Sequence, residues 1–380
     1  MIWDELGVDC FFGCRGQPAG KPKPHVTNFA EFEERLGALR RGEGEGFDRL
    51  AFQLFRLQYD NVPAYRAFCD SQAVHPDSIR TWMQIPVVPT SAFKDLEFTA
   101  ISPGERAIVF CSSGTTGQRP SRHFHHAESL AVYEASLLTW ASVNLPLDGA
   151  TLISLTPDAE HAPHSSLVHM FHAISRSKGV RRATFVGAAD SDGSWQIDSG
   201  RAIALLKACE STNEPVGLLG TAFNFVHLIE ALDAEGLRLS LPLRSWALET
   251  GGYKGRSRTM PKSELHALIS GLLGLPVGRI VTEYGMCELS SQAYDSSLLR
   301  QSSDRTFRFP RWARPVVVSP ETGREVHDGE IGLLRVYDLA NVYSVMAIET
   351  EDLARRRGHD FDLIGRAERA EPRGCSLMAP

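Results

Sequence analysis

Between about residue 106 and residue 285, short apolar runs alternate with longer amphipathic stretches, and no other feature of the chain constrains its fold as tightly. The runs are Ala107-Ile108-Val109-Phe110, Thr151-Leu152-Ile153-Ser154-Leu155, Thr184-Phe185-Val186, Val216-Gly217-Leu218-Leu219, Trp246-Ala247-Leu248 and Arg279-Ile280-Val281. Each has the length of a buried strand, and the stretches between them have the periodicity of helices. The pattern predicts βα units, hence an α/β fold with mostly parallel sheets flanked by helices. In such sheets ligands collect at the carboxyl ends of the strands. Several runs are followed there by small or polar residues: Ser112-Ser113-Gly114, Gly220-Thr221, Thr250-Gly251-Gly252 and Glu283-Tyr284-Gly285.

Around this block the chain divides into four parts. Residues 1–27 read as an N-terminal arm and a Pro/Gly-rich tether, since Arg15 to Pro24 cannot hold a helix. Residues 28–304 form the α/β core, opening with helical faces that carry Phe29, Phe32, Leu36 and Leu39, then Leu50, Leu54, Phe55 and Leu57. Residues 305–348 lose that periodicity and read as a small β-rich subdomain, with strand-like pieces such as Pro315-Val316-Val317-Val318. Residues 349–380 read as a hinge and a short tail carrying Cys375.

Composition removes several functional classes. With 43% hydrophobic and 23% charged residues the chain is too apolar to be disordered. A net charge of -6, with no like-charge block longer than Arg355-Arg356-Arg357, argues against a nucleic-acid scaffold or a polybasic membrane anchor. The most membrane-like stretch, Ser129 to Leu147, is broken by Glu134, Asn144 and Pro146, so no membrane span is expected. Residues 1–14 carry Asp4, Glu5 and Asp9 without a lysine or arginine, unlike a secretory signal. Seven cysteines without C-x-x-C pairs fit neither a disulfide framework nor a zinc ribbon. A cytoplasmic protein is the expectation.

The sharpest local signal is Ser112-Ser113-Gly114-Thr115-Thr116-Gly117, directly after the first run. Its glycines let the backbone close around an anion, and its hydroxyls donate to phosphate oxygens. It reads as a polyphosphate cradle or as a plain Ser/Gly turn; it is neither a Walker loop nor a nucleophile elbow. The spacings of His123, His125 and His126, of His161 and His164, and of His169 and His172 occur in metal sites, but none has a cysteine or carboxylate at matching spacing. His126 is kept as a phosphate or substrate contact.

Ser112 to Gly117 resembles the phosphate loop of the adenylate-forming superfamily, the acyl-CoA synthetases and phenylacetate-CoA ligases, which make an acyl adenylate from ATP and a carboxylic acid. Further segments match in the same order. Thr282-Glu283-Tyr284-Gly285-Met286-Cys287-Glu288 resembles the Tyr-Gly-x-Thr-Glu motif, with Cys287 where threonine is usual. That resemblance implies adenine stacking by Tyr284 and a Mg²⁺ ligand in Glu288, chemistry suited to a planar ring and a hard carboxylate oxygen. Thr350-Glu351-Asp352 is similar to the Thr-Gly-Asp motif whose aspartate accepts from the ribose hydroxyls, with Glu351 in place of glycine. Asp362-Leu363-Ile364-Gly365-Arg366 is similar to the hinge segment whose arginine reaches the nucleotide. Gly251 and Gly252 resemble the pair lining the adenine pocket, and Lys254 is placed near the α-phosphate and substrate.

The ending narrows the branch. Gly365-Arg366 followed by Arg373-Gly374-Cys375-Ser376-Leu377 resembles the acyl-protein synthetases, the LuxE type, in which the large C-terminal lid is absent and a tail cysteine receives the acyl group. Pro89 to Lys94 and Ser165 to Met170 also look like that family. The resemblance implies an adenylate-forming N-terminal-domain fold, ATP and Mg²⁺ as cofactors, Cys375 as the catalytic nucleophile, and delivery to an acyl-accepting reductase or a carrier protein. Arg366, Arg369 and Arg373 near Cys375 favour its thiolate, while Glu368 and Glu371 oppose it. The acid, fatty or aromatic, is expected between the helix starting near Ser165 and the segment Gly220 to Phe225, touching Ser166, Met170, Thr221, Phe223 and Phe225. Two alternatives are an adenylating ligase that delivers to CoA or a carrier thiol, and a non-catalytic nucleotide-binding subunit.

Overall fold

Side chains alternate along each buried strand with period two, so the inner parallel strands of this protein feed two separate cores. The computed structural model describes residues 26–112, 119–189, 195–251, 260–295, 297–300 and 305–366. The chain opens with three helices, α1 (Phe29–Arg40), α2 (Phe47–Asn61) and α3 (Pro63–Ser71). Asn28 caps α1, its side chain accepting from the Glu31 amide at 2.9 Å. A short strand β1 (Val88–Pro89) precedes a hairpin of β2 (Ile108–Cys111) and β3 (Arg122–His125), followed by helix α4 (Ala127–Asn144).

The α/β alternation then begins. Its elements are β4 (Ala150–Ser154), α5 (Ser166–Ser175), β5 (Val180–Phe185), a small hairpin β6 (Gly187–Ala189) and β7 (Trp195–Ile197), α6 (Ser199–Ser211), β8 (Val216–Thr221), α7 (Ala222–Ala234), β9 (Trp246–Thr250), α8 (Lys262–Leu273) and β10 (Ile280–Tyr284). The five principal strands lie in the order β10-β9-β8-β4-β5, all parallel. Ile153, Leu218, Ala247 and Ile280 point to one face, beneath α6, α7 and α8. Leu152, Leu219, Leu248 and Val281 point to the other, beneath α4 and α5. Right-handed crossovers dictate this division, because the step from β4 to β5 runs opposite to the steps from β8 to β9 and β10. The reversal falls between β4 and β8 and leaves a crevice at their carboxyl ends.

The remaining strands are β11 (Ala293–Asp295), β12 (Phe307–Arg308), β13 (Ala313–Val318), β14 (Ile331–Asp338), β15 (Ala347–Arg357) and β16 (Asp360–Arg366), with a short helix α9 (Ser297–Arg300) after β11. They pair antiparallel in the order β13-β14-β15-β16-β12-β11 and join β10, giving, with β1 beside β15, one mixed 12-stranded sheet. The front helices pack on this antiparallel half: Phe32, Leu36, Leu50, Leu54 and Phe55 share a core with Val317, Leu334, Val336 and Ile348.

Two local expectations change. The run Ala107 to Phe110 forms a strand outside the parallel sheet: β2 pairs only with β3, because the ten residues between them, 112–121, are too few for a helical crossover and suit a hairpin. Strand structure also runs past Ile348 to Arg366, so Glu349 to Asp352 lies inside β15. Among the described residues no helix is long and apolar enough to cross a membrane.

Candidate functional site

The carboxyl ends of three adjacent parallel strands, together with the antiparallel β11 beside them, carry one polar row. Thr221, Thr250, Glu283 and Tyr294 are register partners across β8, β9, β10 and β11. They point to the same face as the row below them, Leu219, Leu248 and Val281. A continuous apolar floor thus ends in hydroxyls and a carboxyl at the rim. Above this face lie the hairpin, whose connection holds the hydroxyl-rich loop, and the side chains of Tyr133 and His169, which pack edge to face with ring centroids 5.8 Å apart.

Three buried contacts fix the rim. The Thr250 hydroxyl donates to the Glu283 carboxylate. Burial raises the Glu283 carboxyl to about 7, against the pull of the Thr250 hydrogen bond and of Lys262. His123 reaches from β3 to the following turn, its Nδ1 2.7 Å from the Cys287 carbonyl oxygen. Burial lowers its pKa to about 4, so the ring is neutral and Nδ1–H donates. On the opposite face, Glu249 is wholly buried beside Lys262 at 3.4 Å and His266 at 3.5 Å.

A second cluster joins β10 to β15 and β16. The Tyr284 hydroxyl donates to Asp352 Oδ2 at 2.8 Å, and Arg366 Nε lies 3.7 Å from Asp352 Oδ1. Burial raises the Asp352 carboxyl, opposed by the Tyr284 hydrogen bond and the Arg366 charge. The Tyr284 ring, 7% exposed, sits edge-on against Phe361, Phe307 and Phe309 at centroid distances of 5.6, 6.1 and 6.3 Å. Pairing of β15 with β16 sets Asp352 opposite Arg366, which brings together residues 68 and more positions apart in the chain.

The residues expected at the site are placed as follows. Ser112 ends β2 with its Oγ accepting from the Ser121 amide at 2.9 Å, closing the base of the loop. Gly251 follows β9 with φ +71°, a left-handed conformation natural to glycine, with open space where a Cβ would lie. Glu288 is 4% exposed and accepts from the Cys287 thiol at 3.2 Å. Ser113, Gly114, Thr115, Thr116, Gly117, Gly252, Lys254 and Cys375 lie outside the described residues. His126 caps α4, its Nδ1 accepting from the Ser129 amide at 3.2 Å.

The expected acid contacts do not share one wall. Met170 belongs to the core beneath α4 and α5, Phe225 to the core on the opposite face, and both are buried. The handedness of the crossovers separates them, since α5 and α7 leave the sheet on opposite sides. Thr221 caps α7 in a reciprocal arrangement with Asn224, its hydroxyl donating to Asn224 Oδ1 at 2.7 Å. Phe223 packs on His227, and Ser166 offers its carbonyl to the Tyr133 hydroxyl at 3.3 Å. Sequence reasoning passed over Thr250, Glu283 as a carboxyl in its own right, Tyr294 and His123. The available signal was Glu283 itself, an acid in the apolar strand Ile280-Val281-Thr282-Glu283-Tyr284 one residue before the turn.

This architecture is that of an adenylate-forming ligase. The structure aligns with a 2-hydroxyisobutyryl-CoA ligase solved with its acyl adenylate and CoA, at a TM-score of 0.59 and 16% identity over 89% of this chain and 75% of that one. It also aligns with a long-chain-fatty-acid-CoA ligase from Archaeoglobus fulgidus, at a TM-score of 0.50 and 16% identity over 70% and 53%. Residues 45–379 match the family model for acyl-protein synthetase, LuxE, and the chain belongs to that family. It is 23% identical to the long-chain-fatty-acid–luciferin-component ligase of Aliivibrio fischeri, over 87% of this chain and 86% of the relative. Identity to the protein of the same name from Vibrio harveyi is 21% over the same shares.

Proposed function

We propose that this protein activates a fatty acid with ATP as an acyl adenylate, releases pyrophosphate, and then takes the acyl group onto Cys375 as a thioester for delivery to a partner such as a reductase. The observation that carries the reading is the Tyr284, Asp352 and Arg366 cluster at the rim of the parallel sheet. Asp352 is a fixed carboxylate acceptor suited to the ribose hydroxyls, with Arg366 beside it to offset phosphate charge. By the resemblance of their sequence, the loop Ser112 to Gly117 is assigned to the phosphates, Gly251 and Gly252 with Tyr284 to the adenine, and Lys254 to the α-phosphate.

Glu288 suits Mg²⁺, being a carboxylate held in place by the Cys287 thiol. Glu288 would hold the ion, which when bound would supply positive charge to offset that of the phosphates. The acid occupies the face above Leu219, Leu248 and Val281, bordered by Ser166 and Tyr133. Its carboxylate oxygen attacks the α-phosphorus, and the P–O bond to pyrophosphate breaks. The Cys375 thiolate then attacks the acyl carbon and AMP leaves with the bonding pair. The scattered cysteines support a cytoplasmic setting for this chemistry.

Exchange of labelled pyrophosphate into ATP tests the first half. Exchange should require both Mg²⁺ and an acid, and should be strongest within a series of fatty acids of increasing length. No exchange with any acid of that series would refute the proposal.

A further inference from the structure

We infer that Glu283 is a positioning residue for ATP, holding Thr250 and Gly251 at the end of β9 and the Tyr284 to Glu288 turn after β10 at one fixed spacing. The inference rests on the proposed nucleotide site and adds to it a residue that contacts no nucleotide itself.

Glu283 sits at the end of β10, opposite Thr250 of β9 and Tyr294 of β11. Its carboxylate accepts from the Thr250 hydroxyl, and Thr250 leads directly into Gly251 and Gly252. On its other side the carboxylate fills the space beneath the second turn: a Cβ built at Gly285 would lie 2.4 Å from Glu283 Oε1. One side chain therefore meets the end of β9 and the turn after β10 at once.

Glu283 is 5% exposed, and Lys262, the cation that acts on it, makes its ion pair with Glu249 instead. A perturbed carboxyl retained at the carboxyl end of a strand in a ligand crevice marks a functional position.

The test is acid-dependent pyrophosphate exchange by the full chain carrying Glu283→Ala, Glu283→Gln, Thr250→Val and the double variant Glu283→Ala/Thr250→Val. Glu283→Ala and Thr250→Val should each raise KM for ATP about tenfold, with kcat and the KM for the acid within about twofold. The double variant should be no worse than either single, as expected of two ends of one contact. Glu283→Gln, which still accepts from Thr250, should stay within about threefold of wild type and melt no lower than wild type. ATP KM values within twofold of wild type in both single variants would overturn the inference, as would effects that multiply in the double variant. If the unmodified protein shows neither exchange nor stabilisation by ATP, the nucleotide site itself fails and the inference goes with it.

Discussion

The proposed nucleotide site makes its sharpest prediction at the Asp352 carboxylate. It is partly enclosed, takes the Tyr284 hydroxyl, and faces Arg366. Charge-assisted hydrogen bonds are worth about 1.5–3 kcal/mol each, so Asp352→Ala should raise KM for ATP ten- to a hundredfold in the exchange assay while leaving KM for the acid in place. Equal loss for both substrates would point to a collapsed site instead. Glu283 makes a different prediction through its titration. Its folded pKa, about 7, lies above the ordinary 4.5, so its contribution to stability is complete below pH 4.5 and is lost as pH rises through 7. The melting temperature of Glu283→Gln should therefore gain on wild type between pH 5 and pH 7.5, by up to ~3 kcal/mol in stability. Parallel melting curves would contradict this assignment. Tyr284 and Asp352 could be singled out from the sequence by motif alone; their hydrogen bond could not, because it depends on the pairing of β15 with β16.

At the scale of elements, the inner parallel strands were legible because burial on both faces leaves them as apolar runs, while the edge strand β5, with exposed Arg181 and Arg182, showed only its end at Thr184 and Phe185. The antiparallel strands β15 and β16 were not. Glu349, Glu351, Arg355 and Arg357 interrupt the apolar period of β15, and their charges read as a solvated tail. In the fold those charges find cross-strand partners: Arg335 with Glu349 at 2.7 Å and Arg357 with Asp362 at 2.6 Å. The hairpin of β2 and β3 was missed for the opposite reason, since Ile108 to Phe110 is as apolar as any parallel strand and only the short connection betrays its pairing. Helix α7 offers a direct check on local encoding. Thr221→Ala removes the cap hydroxyl and should cost about 1 kcal/mol of stability, seen as a lower melting temperature, with Thr221→Ser restoring most of it. Phe225→Ala, in the core beneath the same helix, should cost ~3–5 kcal/mol. Similar small losses at both positions would mean that α7 is not packed as described.

For the whole molecule, one sheet performs two tasks. Its parallel half, with β11 beside it, supplies the polar row Thr221, Thr250, Glu283 and Tyr294, and its antiparallel half supplies Asp352 and Arg366, with Tyr284 at the junction. The core cluster that contains Tyr284 also includes Phe32 and Phe55 of the front helices, so those helices brace the half that carries Asp352. The account as a whole depends on coupling between this rim and the thiol of Cys375. The most direct test incubates the protein with ATP, Mg²⁺ and a radiolabelled fatty acid and follows the label through denaturing electrophoresis. Wild type should retain label that hydroxylamine removes, and Cys375→Ser should lose the label while still exchanging pyrophosphate into ATP. Undiminished, hydroxylamine-sensitive label on Cys375→Ser would contradict the account.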